Sequence, residues 1–246
     1  MRSKLVEKIV ETERTLAERK NHTDFTDFWK PKGLGRFYSF LNPVSYLKAL
    51  KHQKLFCQMD GLFVDGVMLV AAIRMCYGKK VTRRSCDMTS VGKSLLEVSV
   101  REGKSLYIVA SKQESVERAM TMFRERFEGV NIVGYRNGYF ANEDEMDEEA
   151  RHITEVNPDF LVVGMGAIKQ EEFLLRVKRA GYRGIGFTCG GFIHQTALNE
   201  TDYYPAWIDR RDIRFLYRMW KEPYTRKRYL RAGFLFPLKF VWEKYF

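Results

Sequence analysis

The groups in this chain with chemical potential are a carboxylate at Asp65, an arginine pair at Arg83 and Arg84 followed by Asp87, and a glycine turn at Gly164-Met165-Gly166. Asp60-Gly61 and Asp65-Gly66 bracket a short apolar stretch. Asp-Gly pairs ordinarily mark turns, and either pair alone carries only that reading. Read chemically, Asp65 at a strand end would take a proton from a hydroxyl. Arg83 or Arg84 would offer a guanidinium to a diphosphate leaving group. A base on the acceptor and stabilisation of departing phosphate charge are the two functions that inverting sugar transfer from a nucleotide requires.

The glycine turn follows the apolar run Phe160-Leu161-Val162-Val163 and precedes Lys169-Gln170-Glu171. Backbone N–H groups of such a turn approach an oxyanion closely, aided by the dipole of the following helix. A dinucleotide fingerprint would need a third glycine at Lys169, and it would normally occupy the first βαβ unit. An NAD site of that kind is excluded. A nucleotide diphosphate at the turn stays open beside the plainer reading, in which the glycines only allow tight strand–helix packing. Cys57, Cys76, Cys86 and Cys189 are scattered, as are His22, His52, His152 and His194. That dispersal lacks the local pairs of a structural zinc site, and it favours reduced thiols over disulfides. No structural zinc is expected, and with the NAD fingerprint missing no cofactor is expected.

The elements that must position these groups alternate strand and helix. Ser105–Ser111 reads as a strand, and Ser111 with Glu114 as a capping box opening a helix to about Glu128. Asn131–Tyr135 is the next strand, Asn142 to about Val156 an acidic helix stopped by Asn157-Pro158-Asp159, and Phe160–Val163 a strand. A helix then runs to Ala180-Gly181, followed by a strand at Gly184–Thr188. Continuous apolar strands separated by helices imply βαβ units and a buried parallel sheet. Earlier in the chain, Phe56–Val67 reads as a strand or hairpin region and Val67–Tyr77 as a helix. The fold class is therefore α/β, a Rossmann-like parallel sheet with flanking helices. The first twenty residues are charged throughout and lack a signal-peptide core. They predict an exposed amphipathic helix with Leu5, Ile9, Val10 and Leu16 near one face, and a chain that stays in the cytoplasm.

A net charge of +11 over 246 residues calls for an anionic partner. Between Arg210 and Arg231 nine basic residues meet only Asp212 and Glu222, interleaved with Phe215, Tyr217, Trp220, Tyr224 and Tyr229. Three of the four tryptophans (Trp207, Trp220 and Trp242) fall in the last forty residues, and the tail GFLFPLKFVWEKYF is heavily aromatic. The segment reads as a solvated charged face, a nucleic-acid surface or an interfacial membrane binder. The last fits best, since basic residues meet anionic lipid while aromatics settle at headgroup level. Pro237 would interrupt the tail too early for a spanning helix. Residues 1–205 are thus read as the catalytic body, and 206–246 as a C-terminal basic-aromatic helical appendage that associates with membrane.

Several stretches in order resemble the WecG/TagA/CpsF glycosyltransferases. They are VDGVMLVAAIR, VTRRSCDMTS, Asn137-Gly138-Tyr139-Phe140, the block from Pro158-Asp159 through Gly164, Gly166 and Lys169-Gln170-Glu171, Gly190-Gly191-Phe192, Pro205-Ala206-Trp207 and LYRMWKEPYTRKRYL. The resemblance implies a bacterial, inverting, metal-independent hexosyltransferase of cell-surface or exopolysaccharide synthesis. It would move a sugar, typically of N-acetylmannosamine type, from a UDP-sugar donor to a polyprenyl-diphosphate-linked acceptor, peripheral on the inner face of the plasma membrane. It makes Asp65 the base and places Arg83 (or Arg84, one register step away) and Gln170 at the donor. Arg218, Arg226 and Arg228 become tail arginines clamping diphosphate, with Asn42, Asp87, Gly138, Gly164, Gly166 and Glu171 as further substrate-binding positions. The chain departs from the family at Phe40, which stands for a threonine whose polar role is then either missing or taken by Ser39. Ile168 stands for the proline before Lys169, Arg214-Phe215 for a Glu-Trp pair, and Ser85-Cys86 precede Asp87 where a glycine is usual. No nucleic-acid partner is expected and a homo-oligomer stays open; the rival reading is a basic nucleic-acid-binding or scaffolding protein with an inert α/β body.

Overall fold

Side-chain alternation along the strands divides the interior into two apolar layers. The computed structural model describes residues 3–18, 35–198, 208 and 214–245. Its strands are β1 (Arg36–Leu41), β2 (Gly61–Val64), β3 (Leu106–Ala110), β4 (Ile132–Arg136), β5 (Phe160–Gly164) and β6 (Ile185–Thr188). They form one six-stranded sheet in the order β2-β1-β6-β5-β3-β4, with every neighbouring pair parallel. Phe37, Leu41, Tyr107, Val109, Leu161 and Val163 point into one cluster, while Tyr38, Phe40, Ile108, Phe160 and Val162 point into the other. With both faces covered, the central strands β3 and β5 read as unbroken apolar runs.

Helices α1 (Lys4–Glu18), α2 (Pro43–Ala49), α3 (Gln53–Phe56), α4 (Val67–Tyr77), α7 (Glu143–Val156) and α8 (Lys169–Arg179) cover the first layer; α5 (Val91–Glu102), α6 (Gln113–Arg126) and α9 (Phe192–Leu198) cover the second. The expected α/β, Rossmann-like architecture is present. Two local expectations are corrected. The first helix is not a free amphipathic element, because Leu5, Val6 and Ile9 are buried in the core against β2. Ser111 does not cap α6: it adopts φ 59, its N–H donates to Gly164 O at 3.2 Å, and its carbonyl accepts from Gly138 N at 2.9 Å, tying two loops together. The strand-or-hairpin region from Phe56 to Val67 resolves as a helix end followed by a strand, β2, parallel to β1.

The C-terminal segment contains α10 (Arg214–Lys221), a short 3-10 turn at Pro223–Thr225 and α11 (Arg226–Tyr245). Pro237 lies inside α11 without ending it. Ala232, Phe236, Phe240 and Glu243 form the buried face of α11, and Tyr46 meets both phenylalanines at centroid distances of 5.7 and 5.3 Å. Glu243 accepts from Ser3 Oγ at 2.7 Å and Tyr46 Oη at 2.8 Å, so this face of the tail shares the body's core. No helix among the described residues is long and apolar enough to cross a membrane.

Candidate active site

In a parallel sheet the carboxyl ends of all strands emerge on one edge, where ligands bind in such folds. Here the residues following all six strands line one cavity of about 1010 Å³. They are Asn42 after β1, Asp65 after β2, Ser111 after β3, Gly138 after β4, Met165 and Gly166 after β5, and Cys189 to Gly191 after β6. The carboxylate of the first half and the glycine turn of the second thus share one chamber.

Asp65 donates its backbone N–H to Leu41 O at 2.8 Å, which prolongs the β1–β2 pairing by one residue. Gly66 then turns the chain at φ 135, a conformation that favours glycine, and α4 begins. Burial, reinforced by the negative charge of Asp87, pushes the Asp65 carboxyl up to about 6, against the opposing pull of Arg83, Arg214 and Arg218. A carboxylate tuned towards neutrality suits a general base.

Arg83 bridges to β2 at Val64 and lines the cavity. Arg84 turns the other way, pairing with Glu13 of α1 at 2.5 Å and lying over the Phe63 ring. Adjacent side chains on an extended segment point to opposite sides, so only one arginine could face the site.

Asn42 lines the cavity while capping α2, its Oδ1 accepting from Val44 N and Ser45 N at 3.0 Å each. Ser39 cannot stand in for the family's threonine: it is fully buried and donates to Glu171 Oε1 at 2.7 Å. The hydroxyl at that level of the cavity belongs to Thr188, which donates to Ser39 Oγ at 3.2 Å.

Gln170 and Glu171 part company. Gln170 is 3% exposed and lines the cavity, and its Oε1 has no hydrogen-bond partner, leaving an acceptor for a ligand N–H or O–H. Glu171 is buried behind it, outside the cavity lining. Its carboxylate, pushed upward by burial, accepts from Ser39 Oγ, Gln170 Nε2 and Ile168 N at 2.7, 3.0 and 2.7 Å. The last bond fixes Ile168 at φ 91, a strained setting for a β-branched residue and one closed to proline. Glu171→Ala leaves two buried donors and one part-buried donor unpaired, and we expect it to cost about 3 kcal/mol in urea unfolding. A loss below about 1 kcal/mol would show that the network does not shape this turn.

The two glycines of the turn serve different ends. A Cβ on Gly164 would come within 2.7 Å of Cys189 Sγ, so Gly164 is there for packing. Gly166 has open space but φ +83, so it serves the backbone path. Gly138 closes on Met165, whose Cγ would lie 3.0 Å from an added Cβ. Cys86 and Cys189 also line the chamber, and burial raises both thiols, that of Cys189 to about 12.

The C-terminal segment roofs the cavity through Arg214, Arg218 and Arg228, while Arg226 instead donates to Met219 O at 2.8 Å and braces the turn between helices. Arg218 Nε meets Glu222 Oε2 at 3.3 Å, and Gln195, with its amide oxygen turned toward the guanidinium, accepts at 3.2 and 3.3 Å. Arg214 pairs with Asp87 at 3.0 Å. Arg214, Lys48, Lys112, Lys169 and His194 also line the cavity, and sequence reasoning did not place them there; all but Arg214 lie on the loops and helices that follow strands, and Arg214 lies on the tail. Pro205-Ala206-Trp207 lies outside the described residues.

Residues 14–246 match the glycosyl transferase WecG/TagA/CpsF family. The chain is 31% identical over 207 residues to the UDP-Gal:alpha-D-GlcNAc-diphosphoundecaprenol beta-1,4-galactosyltransferase of Shigella boydii, covering 83% of this chain and 85% of that relative. It is 23% identical over 217 residues to the N-acetylglucosaminyldiphosphoundecaprenol N-acetyl-beta-D-mannosaminyltransferase of Bacillus subtilis (strain 168), covering 85% and 82% respectively.

Proposed function

This chain belongs to the WecG/TagA/CpsF family of glycosyl transferases, and from that premise we propose that it moves a sugar from UDP to the GlcNAc of a polyprenyl-diphosphate acceptor, with inversion and without a metal. The observation that carries this reading is the shared chamber of Asp65 and the Gly164–Gly166 turn. Asp65 takes the proton of the acceptor hydroxyl as that oxygen forms its bond to the anomeric carbon. The bond from that carbon to the diphosphate breaks, and the electron pair leaves on UDP. Arg83, Arg218, Arg228 and the backbone N–H groups of the turn balance the growing charge. Both relatives are named for the same acceptor and for different donor sugars, so acceptor recognition transfers more securely than the N-acetylmannosamine donor.

The decisive assay offers purified protein a panel of UDP-sugars and a synthetic polyprenyl-diphosphate GlcNAc, with and without EDTA. A β-linked disaccharide lipid, formed equally in EDTA, is the expected product; no product with any UDP-sugar removes the reading.

The acceptor's lipid also gives the tail a role, on the cytoplasmic face of the plasma membrane. Opposite the buried face of α11, Leu230, Phe234, Leu238, Trp242 and Tyr245 are exposed, and the basic Arg231 and Lys239 on the same helix are exposed too. Apolar side chains amid basic ones suit an anionic bilayer surface. Replacing Phe234, Leu238 and Trp242 together by Ser spares Phe236 and Phe240, and should weaken flotation with anionic vesicles about tenfold or more. Undiminished flotation would take the membrane role away from this helix.

A further inference from the structure

Helix α10 brings Arg214 and Arg218 over the cavity, yet none of its residues is buried. Phe215, Leu216 and Trp220 are 37%, 49% and 68% exposed, so apolar packing contributes little to holding it down. Its first residue is anchored differently. Arg214 Nη1 reaches Asp87 Oδ2 at 3.0 Å and Ser85 Oγ at 3.4 Å, and Nη2 reaches Thr89 Oγ1. The ion pair is largely shielded, with side chains only 12% and 16% exposed. Its receptacle is rigid: Thr89 N donates to Asp87 Oδ1 at 2.8 Å, and Lys93 N donates to Asp87 O at 3.1 Å. Gly92 packs so closely that an added Cβ would lie 2.7 Å from Asp87 O. One carboxylate oxygen is therefore held by the loop and the other presented to the tail.

We propose that Arg214 is a positioning residue that latches α10 over the cavity through Asp87 and screens Asp65 from the charge of Asp87. This rests on the reading of Asp65 as the base. The charged and titratable groups around Asp65 are Asp87, Arg83 and the Cys86 thiol from the body, and Arg214 and Arg218 from α10. Asp87 opposes ionisation of Asp65, and Arg214 both favours it directly and neutralises Asp87. With α10 in place, the one ion pair holds Arg218 over the cavity and offsets the charge of Asp87 beside Asp65.

Arg214→Ala removes a cation and uncovers an anion, and both changes disfavour the Asp65 carboxylate. The acidic limb of kcat/KM should move up by about one pH unit, with faster amide exchange across residues 214–221. Adding Asp87→Asn to that variant should return the limb towards lower pH without restoring slow exchange, a split that simple structural damage would not produce. An unmoved limb in Arg214→Ala, or unchanged exchange across α10, overturns the proposal. Full turnover by Asp65→Asn would instead remove the base assignment, and the exchange measurement alone would then decide the latch.

Discussion

Asp65→Asn should lower kcat by about a hundredfold or more while leaving UDP affinity within a factor of about two. The amide keeps the shape of the side chain and cannot take the acceptor proton. Because the carboxyl is pushed up to about 6, kcat/KM of the unaltered enzyme should fall about tenfold per unit below that pH as the base becomes protonated. Stability should move the opposite way. A folded-state value above the ordinary 3.8 means the native protein holds this proton more tightly than the unfolded chain does. Stability is therefore lost as pH rises through that window, and the cost is complete at neutral pH. Asp65→Asn removes that cost, so the variant should be more stable by about 1–3 kcal/mol at pH 7. An inactive protein of raised Tm is the combined signature. Retained turnover with a verified acceptor excludes Asp65 as the base, and a lowered Tm would show that the carboxylate supports the fold instead of straining it.

The second half of the chain was legible because three of its strands are short, buried and largely apolar, with helices between them. Leu106–Ala110, Phe160–Gly164 and Ile185–Thr188 are buried along their whole lengths. β1 was not legible. Its run is broken by Arg36 and Ser39, and Ser39 is polar because it serves Glu171 across the sheet, 132 residues away. Helix α5 likewise went unassigned. The middle arginine motif left one residue of register open, and in an extended segment one residue decides which side chain enters the cavity. Motif membership could not separate Gln170 from its neighbour either. On α8 they are adjacent, yet Gln170 opens on the cavity and Glu171 turns back to hold Ile168. Arg214 shows the limit most clearly. As a sequence feature it is only one basic residue among the nine between Arg210 and Arg231, and its partner lies 127 positions earlier. Long-range pairing of this sort leaves no periodicity to read.

Arg218→Ala should cost about a hundredfold to a thousandfold in kcat, the range seen when one preorganised donor to a developing oxyanion is lost. The pocket for this guanidinium is specific. Glu222, 4% exposed, holds Nε, and the absent side chain of Gly191 makes room for Nη2, since a Cβ there would lie 2.8 Å away. That close approach allows a test that leaves the charge in place. Gly191→Ala would push aside only the far end of a flexible side chain, so the fold should survive while the guanidinium shifts. We expect a loss of about tenfold in kcat with an unchanged circular dichroism spectrum and Tm. Arg218→Lys should fall between the two, since an ammonium keeps the charge but not the fork that meets two phosphate oxygens. If Arg218→Ala turns over within about threefold of the unaltered enzyme, leaving-group stabilisation belongs to Arg83, Arg228 and the glycine turn instead. If only Gly191→Ala is silent, the arginine acts by its charge, and its exact seat on Gly191 does not matter to the reaction.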